Sequence, residues 1–187
     1  MRTEPRLTAD RGALLVVDLQ TKLAPAIERV DRVIANTLRL VRAARLLNLP
    51  TFATEQVPSK LGPTVSPLAE LLPVRLPKTT FHAGGADGLW ESLEKLEIGH
   101  VALVGIEAHI CVAQTALELA ARGYEVQVPT DAVGSRFPTD REVALRRLER
   151  SGVILTTTEA TLFEWLGSAD HPRFREIASL VKERTGD

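Results

Sequence analysis

Two hydrophobic rhythms alternate along this chain. Residues 13–18 (ALLVVD) are apolar without alternation, the pattern of a strand buried on both faces. A helix is predicted from about 26 to 47, where Ile27, Val30, Ile34, Leu38 and Val41 recur three and four apart. Asn48-Leu49-Pro50 stops it, and residues 51–56 (TFATEQ) read as a second strand. Residues 100–106 (HVALVGI), 124–129 (YEVQVP) and 153–157 (VILTT) read as further strands. Helices are predicted near 86–96, 109–122, 138–150, 159–166 and 173–184, with Gly123 closing the second of these.

Residues 57–85 break both rhythms. They carry Pro58, Pro63, Pro67, Pro73 and Pro77 together with Gly62, Gly84 and Gly85. A helical turn at 67–72 and an extended piece at 74–80 are the regular structure expected there. An irregular stretch this long within a compact domain is usually functional. Strand–helix alternation with Val/Leu/Ile-rich strands implies parallel βαβ units and right-handed crossovers. The predicted fold class is therefore α/β: a three-layer αβα sandwich on a parallel sheet of five or six strands. At 187 residues with no repeat and no long linker, the whole chain, 1–187, is expected to form a single domain.

Composition narrows the function. Apolar residues make up 44% and charged residues 25%, which excludes a disordered or fibrous chain. The net charge is −1, so nothing draws the chain as a whole to nucleic acid or to an anionic membrane. A lone cysteine, Cys111, cannot close an intramolecular disulfide. The opening MRTEPRLTADRG has no apolar core of a signal peptide, and Ala13–Val17 is far too short to span a bilayer. A cytoplasmic location is the expectation. No GxGxxG follows the first strand and no GxxxxGK[ST] occurs, which removes the main sequence support for dinucleotide or nucleoside triphosphate binding.

In open parallel sheets ligands bind beyond the C-terminal strand ends, where strand order reverses. The residues at and just after the strand ends are therefore the candidates: Asp18, then Glu55 and Gln56, then Lys78, then Gly105 to Cys111. Cys111 falls at the start of a helix directly after a buried strand. A helix N-terminus favours a thiolate, and its N–H groups can hold an oxyanion. The same cysteine also fits as a small buried hydrophobe. Asp18 can serve as the base that a thiol nucleophile needs, and an ammonium at Lys78 favours both charged forms.

The segments LLVVDLQ (14–20), LPKTTF (76–81) and GIEAHICV (105–112) carry Asp18, Lys78 and Cys111 in that order, and on them the chain resembles the isochorismatase-like cysteine hydrolases. TEQVPSKLGPT (54–64) and the block from Gly105 to Arg136 look most like the small isochorismatase domain-containing hydrolases. The resemblance implies six parallel strands in the order 3-2-1-4-5-6, with Asp18 and Cys111 meeting at the point of reversal. It implies an Asp18–Lys78–Cys111 triad and a non-proline cis peptide between Ile106 and Glu107. It also implies an oxyanion hole from the N–H groups of Glu107 and Cys111. The reaction implied is cleavage of an amide- or imide-type C–N bond of a small molecule, through a thioester on Cys111.

The chain departs from nicotinamidases, which hold a metal with an Asp-x-His pair after the second strand. Here Glu55-Gln56-Val57 stands there, and no histidine precedes His82. No metal and no cofactor are expected. Isochorismatases proper usually lack the cysteine, so Cys111 argues against their vinyl-ether chemistry. Gln20, Glu55, Gln56, Phe81, His82 and His109 are the candidate pocket residues. Gln56 fits a substrate amide or a loop hydrogen bond equally well. His109, two residues before Cys111, does not share its helix face and fits a rim position better than a base. Asp131 fits a backbone contact in the DAVGSR turn, and Trp165 and Phe163 fit helix packing or a subunit contact. The resemblance also implies a homo-oligomer, a dimer or larger. The rival readings are a catalytically silent small-molecule or partner-binding protein on the same fold, and a redox-sensing thiol.

Overall fold

The structure, a computed structural model, describes residues 7–183. Its strands are β1 (Gly12–Val17), β2 (Thr51–Gln56), β3 (Leu76–Lys78), β4 (His100–Ile106), β5 (Glu125–Pro129), β6 (Val133–Gly134) and β7 (Ile154–Thr156). The helices are α1 (Val30–Leu46), α2 (Pro58–Leu61), α3 (Ser66–Ala69), α4 (Leu89–Lys95), α5 (Ala113–Ala121), α6 (Pro138–Arg150), α7 (Thr158–Leu166) and α8 (Phe174–Lys182). The strands pair in parallel in the order β3-β2-β1-β4-β5-β7, and β6 pairs with the end of β4.

The apolar run of β1 is explained by its two faces. Leu14 and Val16 pack into a core with Leu40, Val41, Leu162, Trp165 and Ile177, under α1, α7 and α8. Ala13, Leu15 and Val17 pack into a second core with Leu89, Leu93, Ala116, Leu119 and Leu148, under α4, α5 and α6. Helices thus cover both sheet faces, and all six residues of β1 are buried. Order reverses between β1 and β4, so the loops leaving these two strands open at one edge.

The sheet departs from the expected six strands by one short piece. β6 pairs Val133 with Gly105 and Gly134 with Ile106, where β5 has already left β4 for a 3-10 turn at Thr130–Ala132. The sixth strand of the expected order is β7. The first helix begins at Val30 rather than near 26. Pro25 sits in a separate 3-10 turn at Ala24–Ala26, and Arg29 turns the chain in a left-handed conformation, φ 52°. Ile27 is extended but still buried, which is why its spacing fitted the helical pattern. Helix α2 lies in a stretch read as irregular, and the expected end of the last helix at residue 184 is outside the described residues. Among the described residues no helix is long and apolar enough to cross a membrane.

Gly105, near the end of β4, has φ +120°, and a Cβ there would lie 2.0 Å from the Val17 carbonyl oxygen. Only glycine lets β4 come this close to β1 where both strands deliver their residues to the site.

Candidate active site

Asp18 leaves β1 in a left-handed conformation, φ 52°, and is completely buried. Non-glycine residues in this region are uncommon and concentrate where the surrounding structure demands them. Lys78 ends β3, two strands away, and its Nζ donates to Asp18 Oδ2 at 2.6 Å. Neither side chain is exposed to solvent. A buried charge needs both a counter-charge and full hydrogen bonding, and both groups have them. Lys78 Nζ also donates to Gln56 Oε1 at 2.6 Å and to the carbonyls of Phe81 and Thr80 at 3.1 and 3.2 Å. The other Asp18 oxygen, Oδ1, accepts from the Thr54 hydroxyl at 2.8 Å.

Cys111 lies in a π turn, Ala108–Val112, that follows β4 and leads into α5. It is 7% exposed. Its carbonyl accepts from the Thr115 hydroxyl at 2.6 Å, and that hydroxyl in turn accepts from the Ala83 amide at 2.9 Å. The turn is thereby tied to the loop after β3. The Ile106–Glu107 peptide is cis. The groups that act on the Cys111 thiol are the Asp18 carboxylate, the Lys78 ammonium and the Glu107 amide.

The charge state of the thiol reverses the expectation from its helix. Burial and the Asp18 charge push the Cys111 thiol up from 9.0 to about 12, and the opposing pull of Lys78 and of the Glu107 amide is smaller. The sulfur therefore rests as a neutral thiol beside a carboxylate, not as a standing thiolate. Position at a helix start favours negative charge, but removal from water outweighs it here.

Three expected pocket residues form a frame around this centre. Gln20 Nε2 donates to the carbonyls of Gln56 and Gly62 at 3.0 and 2.7 Å, and its Oε1 accepts from the Gln56 amide at 2.7 Å. Glu55 Oε1 accepts from the amide and hydroxyl of Thr64 at 2.7 and 2.8 Å and meets Arg75 Nε at 3.2 Å. Gln56 Nε2 donates to the Thr79 carbonyl at 2.8 Å while its Oε1 receives Lys78. These contacts fix the loop after β2 and the lysine itself.

The other candidates differ in burial and in the partners they hold. Phe81 is 53% exposed. His82 is half-buried, and its Nδ1 is buried with no hydrogen-bond partner. His109 is half-buried, with Nδ1 at 3.0 Å from the Ser135 hydroxyl and Nε2 at 3.8 Å from Asp140. Glu107 turns its carboxylate to Arg136, accepting from its amide and its Nε at 3.0 and 3.1 Å. Asp131 caps α7, accepting from the amide and hydroxyl of Thr158 at 2.8 and 2.9 Å.

Thr54, Ser135 and Thr115 had not been singled out from the sequence. Thr54 had a readable signal, since it precedes Glu55-Gln56 at the end of a strand predicted beside β1, opposite Val17 in register. Ser135 had none, because its partner lies 26 residues away, and Thr115, whose hydroxyl reaches back one helical turn to the Cys111 carbonyl, also meets Ala83, 32 residues away. Among the described residues no three His, Cys, Asp or Glu side chains come together as a metal-binding set.

Comparison with known proteins bears on this arrangement. Residues 12–160 match the isochorismatase domain. Isochorismatase domain-containing protein 2 of Danio rerio is 43% identical over 97% of this chain and 92% of its own. The MAR1 ribonuclease structure from Caenorhabditis elegans superposes with a TM-score of 0.92 at 41% identity, covering 98% of this chain and 95% of that one. The Escherichia coli YcaC product, an octameric hydrolase of unknown specificity, gives 0.90 at 25% identity over 96% and 91%. YcaC from Pseudomonas aeruginosa, solved with hexane-2,5-diol and covalent acrylamide, gives 0.89 at 26% identity over 96% and 93%.

Proposed function

The chain belongs to the isochorismatase-domain family, and we propose that within it the protein is a cysteine hydrolase of small amides or imides. One observation carries this reading: a buried carboxylate, held by Lys78 and Thr54, acts directly on the protonation of the Cys111 thiol. On this reading Cys111 Sγ attacks the substrate carbonyl carbon as its proton passes to Asp18. The tetrahedral oxyanion takes the N–H groups of Glu107 and Cys111. Asp18 returns the proton to the leaving nitrogen, the C–N bond breaks, and a thioester remains. Water then adds to the thioester with Asp18 again accepting its proton, the acid is released, and the thiol is restored.

A neutral resting thiol suits this scheme. The proton needed by the leaving amine is already inside the site, and no thiolate stands exposed to oxidants between turnovers. That last point weighs against a redox-sensing role. Acrylamide is an electrophile to which thiols add, and its covalent capture in the Pseudomonas neighbour supports a reactive nucleophile on this fold. The ribonuclease name of the nematode relative is not carried over, because the one ammonium at this site is already neutralised by Asp18. A homo-oligomer is part of the reading, supported by the octameric E. coli neighbour and by exposed Phe81 and Phe137.

The test is a panel of small amides and imides, followed by amine release and by intact-mass detection of an acyl adduct. The wild type should release amine and show an adduct that Cys111→Ala lacks. Saturable binding with no turnover and no adduct across the panel would establish instead the silent binding protein. Light scattering after size exclusion should give a mass of at least two chains.

A further inference from the structure

A cleft of about 300 Å³ lies apart from Asp18, Lys78 and Cys111 and has no part in the proposed chemistry. Arg29, Arg32 and Arg141 line it, and it reaches the first turns of α1 and α6 and the N-cap residue of α7, Thr157. Val33, on its wall, belongs to the core under α1 and Val133 to the core that also holds Cys111, so the cleft borders both. None of Asp18, Lys78, Cys111 or Glu107 borders it.

Charge is concentrated there without being neutralised. Among the described residues none of the three arginines forms an ion pair. Arg29 and Arg32 are exposed, while Arg141 is half-buried. Arg141 spends Nε on the Val133 carbonyl at 3.2 Å and one Nη2 proton on the Thr130 carbonyl. A guanidinium has five N–H donors, so part of the fork remains available. Burial and the neighbouring Arg32 charge hold Arg141 below its ordinary value, with Asp131 and Glu28 opposing them less. Two carboxylates border the cleft. Asp131 is engaged in capping α7, and Glu28 is exposed. The three helices of 17, 13 and 9 residues add the positive ends of their dipoles.

We propose that this cleft binds a small oxyanion, a phosphate or a dicarboxylate, at a site separate from Cys111. The guanidinium fork matches either group bidentately, and the volume admits a small molecule rather than a polymer. The proposal does not depend on the hydrolase reading, because binding is measured without turnover.

Isothermal titration with inorganic phosphate, and separately with malonate, at fixed ionic strength should give one saturable site per chain. Competition between the two would show that they share it. The Arg29→Gln/Arg32→Gln double variant, altered only on the surface, should keep the wild-type melting temperature and weaken binding about tenfold or more. Arg141→Gln should weaken it further. No saturable binding of either anion, or an affinity unchanged in the double variant, would overturn the proposal.

Discussion

Lys78 and Asp18 form a 2.6 Å ion pair with both side chains wholly withdrawn from solvent, although 60 residues separate them in the chain. Such a pair costs desolvation on both sides, and removing one member strands the other charge at a cost of about 3–5 kcal/mol. Lys78→Met should therefore lower unfolding free energy by that order in urea titration. The Asp18→Asn/Lys78→Met double variant should recover much of the loss. If Lys78→Met unfolds at the wild-type midpoint, the pair is not held as buried charges.

The thiol makes a prediction with a definite sign. Burial and Asp18 disfavour the Cys111 thiolate and push the thiol up from 9.0 to about 12. Iodoacetamide alkylation should be slow at pH 8 and still rising at pH 10.5. Asp18→Asn removes a charge that raises the value and should speed alkylation at fixed pH, whereas Lys78→Met should slow it. Between 9.0 and about 12 the unfolded chain loses this proton and the folded chain keeps it. The associated stability is fully present below 9.0 and disappears toward 12, with a slope of at most about 1.4 kcal/mol per pH unit. Cys111→Ala should flatten the alkaline decline. A thiol alkylated with an apparent midpoint below 8 would contradict this account.

Gly105→Ala tests the contact that aligns β1 with β4. Its Cβ would lie 2.0 Å from the Val17 carbonyl oxygen, a backbone atom that cannot swing aside, at a φ of +120°. The expected loss is about 4 kcal/mol or more, seen as a large drop in denaturation midpoint or as insoluble protein. Gly152→Ala is the control, since φ there is also positive but a Cβ would meet nothing within 4 Å. Equal stability of the two variants would mean that the strands can separate locally at no cost.

Much of this was legible because the parallel sheet converts chain order into place. Unbroken apolar runs marked β1 and β4, and Asp18 and Cys111 follow them directly, so the geometry of strand reversal brings their loops to one edge. Lys78 was legible through its place in the extended piece that follows the second strand. The start of α1 was not, because Ile27 is buried in the same core whether or not it is helical. β6 was hidden because two residues carry no periodicity. The protonation of Cys111 was unreadable for a different reason. A helix start is a local feature of sequence, whereas the burial that outweighs it depends on everything packed around the sulfur. The roles of Gln20 and Glu55 were hidden likewise, since their partners are backbone groups of a loop whose path the sequence does not give.

Glu55 separates framework from contact. Its carboxylate satisfies both the amide and the hydroxyl of Thr64, so Glu55→Ala leaves a buried donor unpaired at a cost of about 1–3 kcal/mol. Urea denaturation should show that loss, while kcat per folded molecule on any substrate found changes by less than about threefold. A large rise in KM with stability unchanged would instead place Glu55 against the substrate.

Thr54 gives the sharpest test of how Asp18 is aimed. Its hydroxyl donates to Oδ1 at 2.8 Å, leaving Oδ2 to Lys78, so the two donors together fix the carboxylate plane. Thr54→Val keeps the shape and the β-branch but removes the donor. A hydrogen bond to a charged group is worth about 1.5–3 kcal/mol. If Asp18 moves protons, losing its orientation should lower kcat about tenfold or more while KM changes little, because Thr54 is 1% exposed and offers substrate nothing. Thr54→Ser, which restores the donor, should recover most of the rate. If Thr54→Val instead loses stability with kcat intact, the hydroxyl serves the fold alone. If Thr54→Ser fails to rescue, the loss comes from packing rather than from the bond to Asp18.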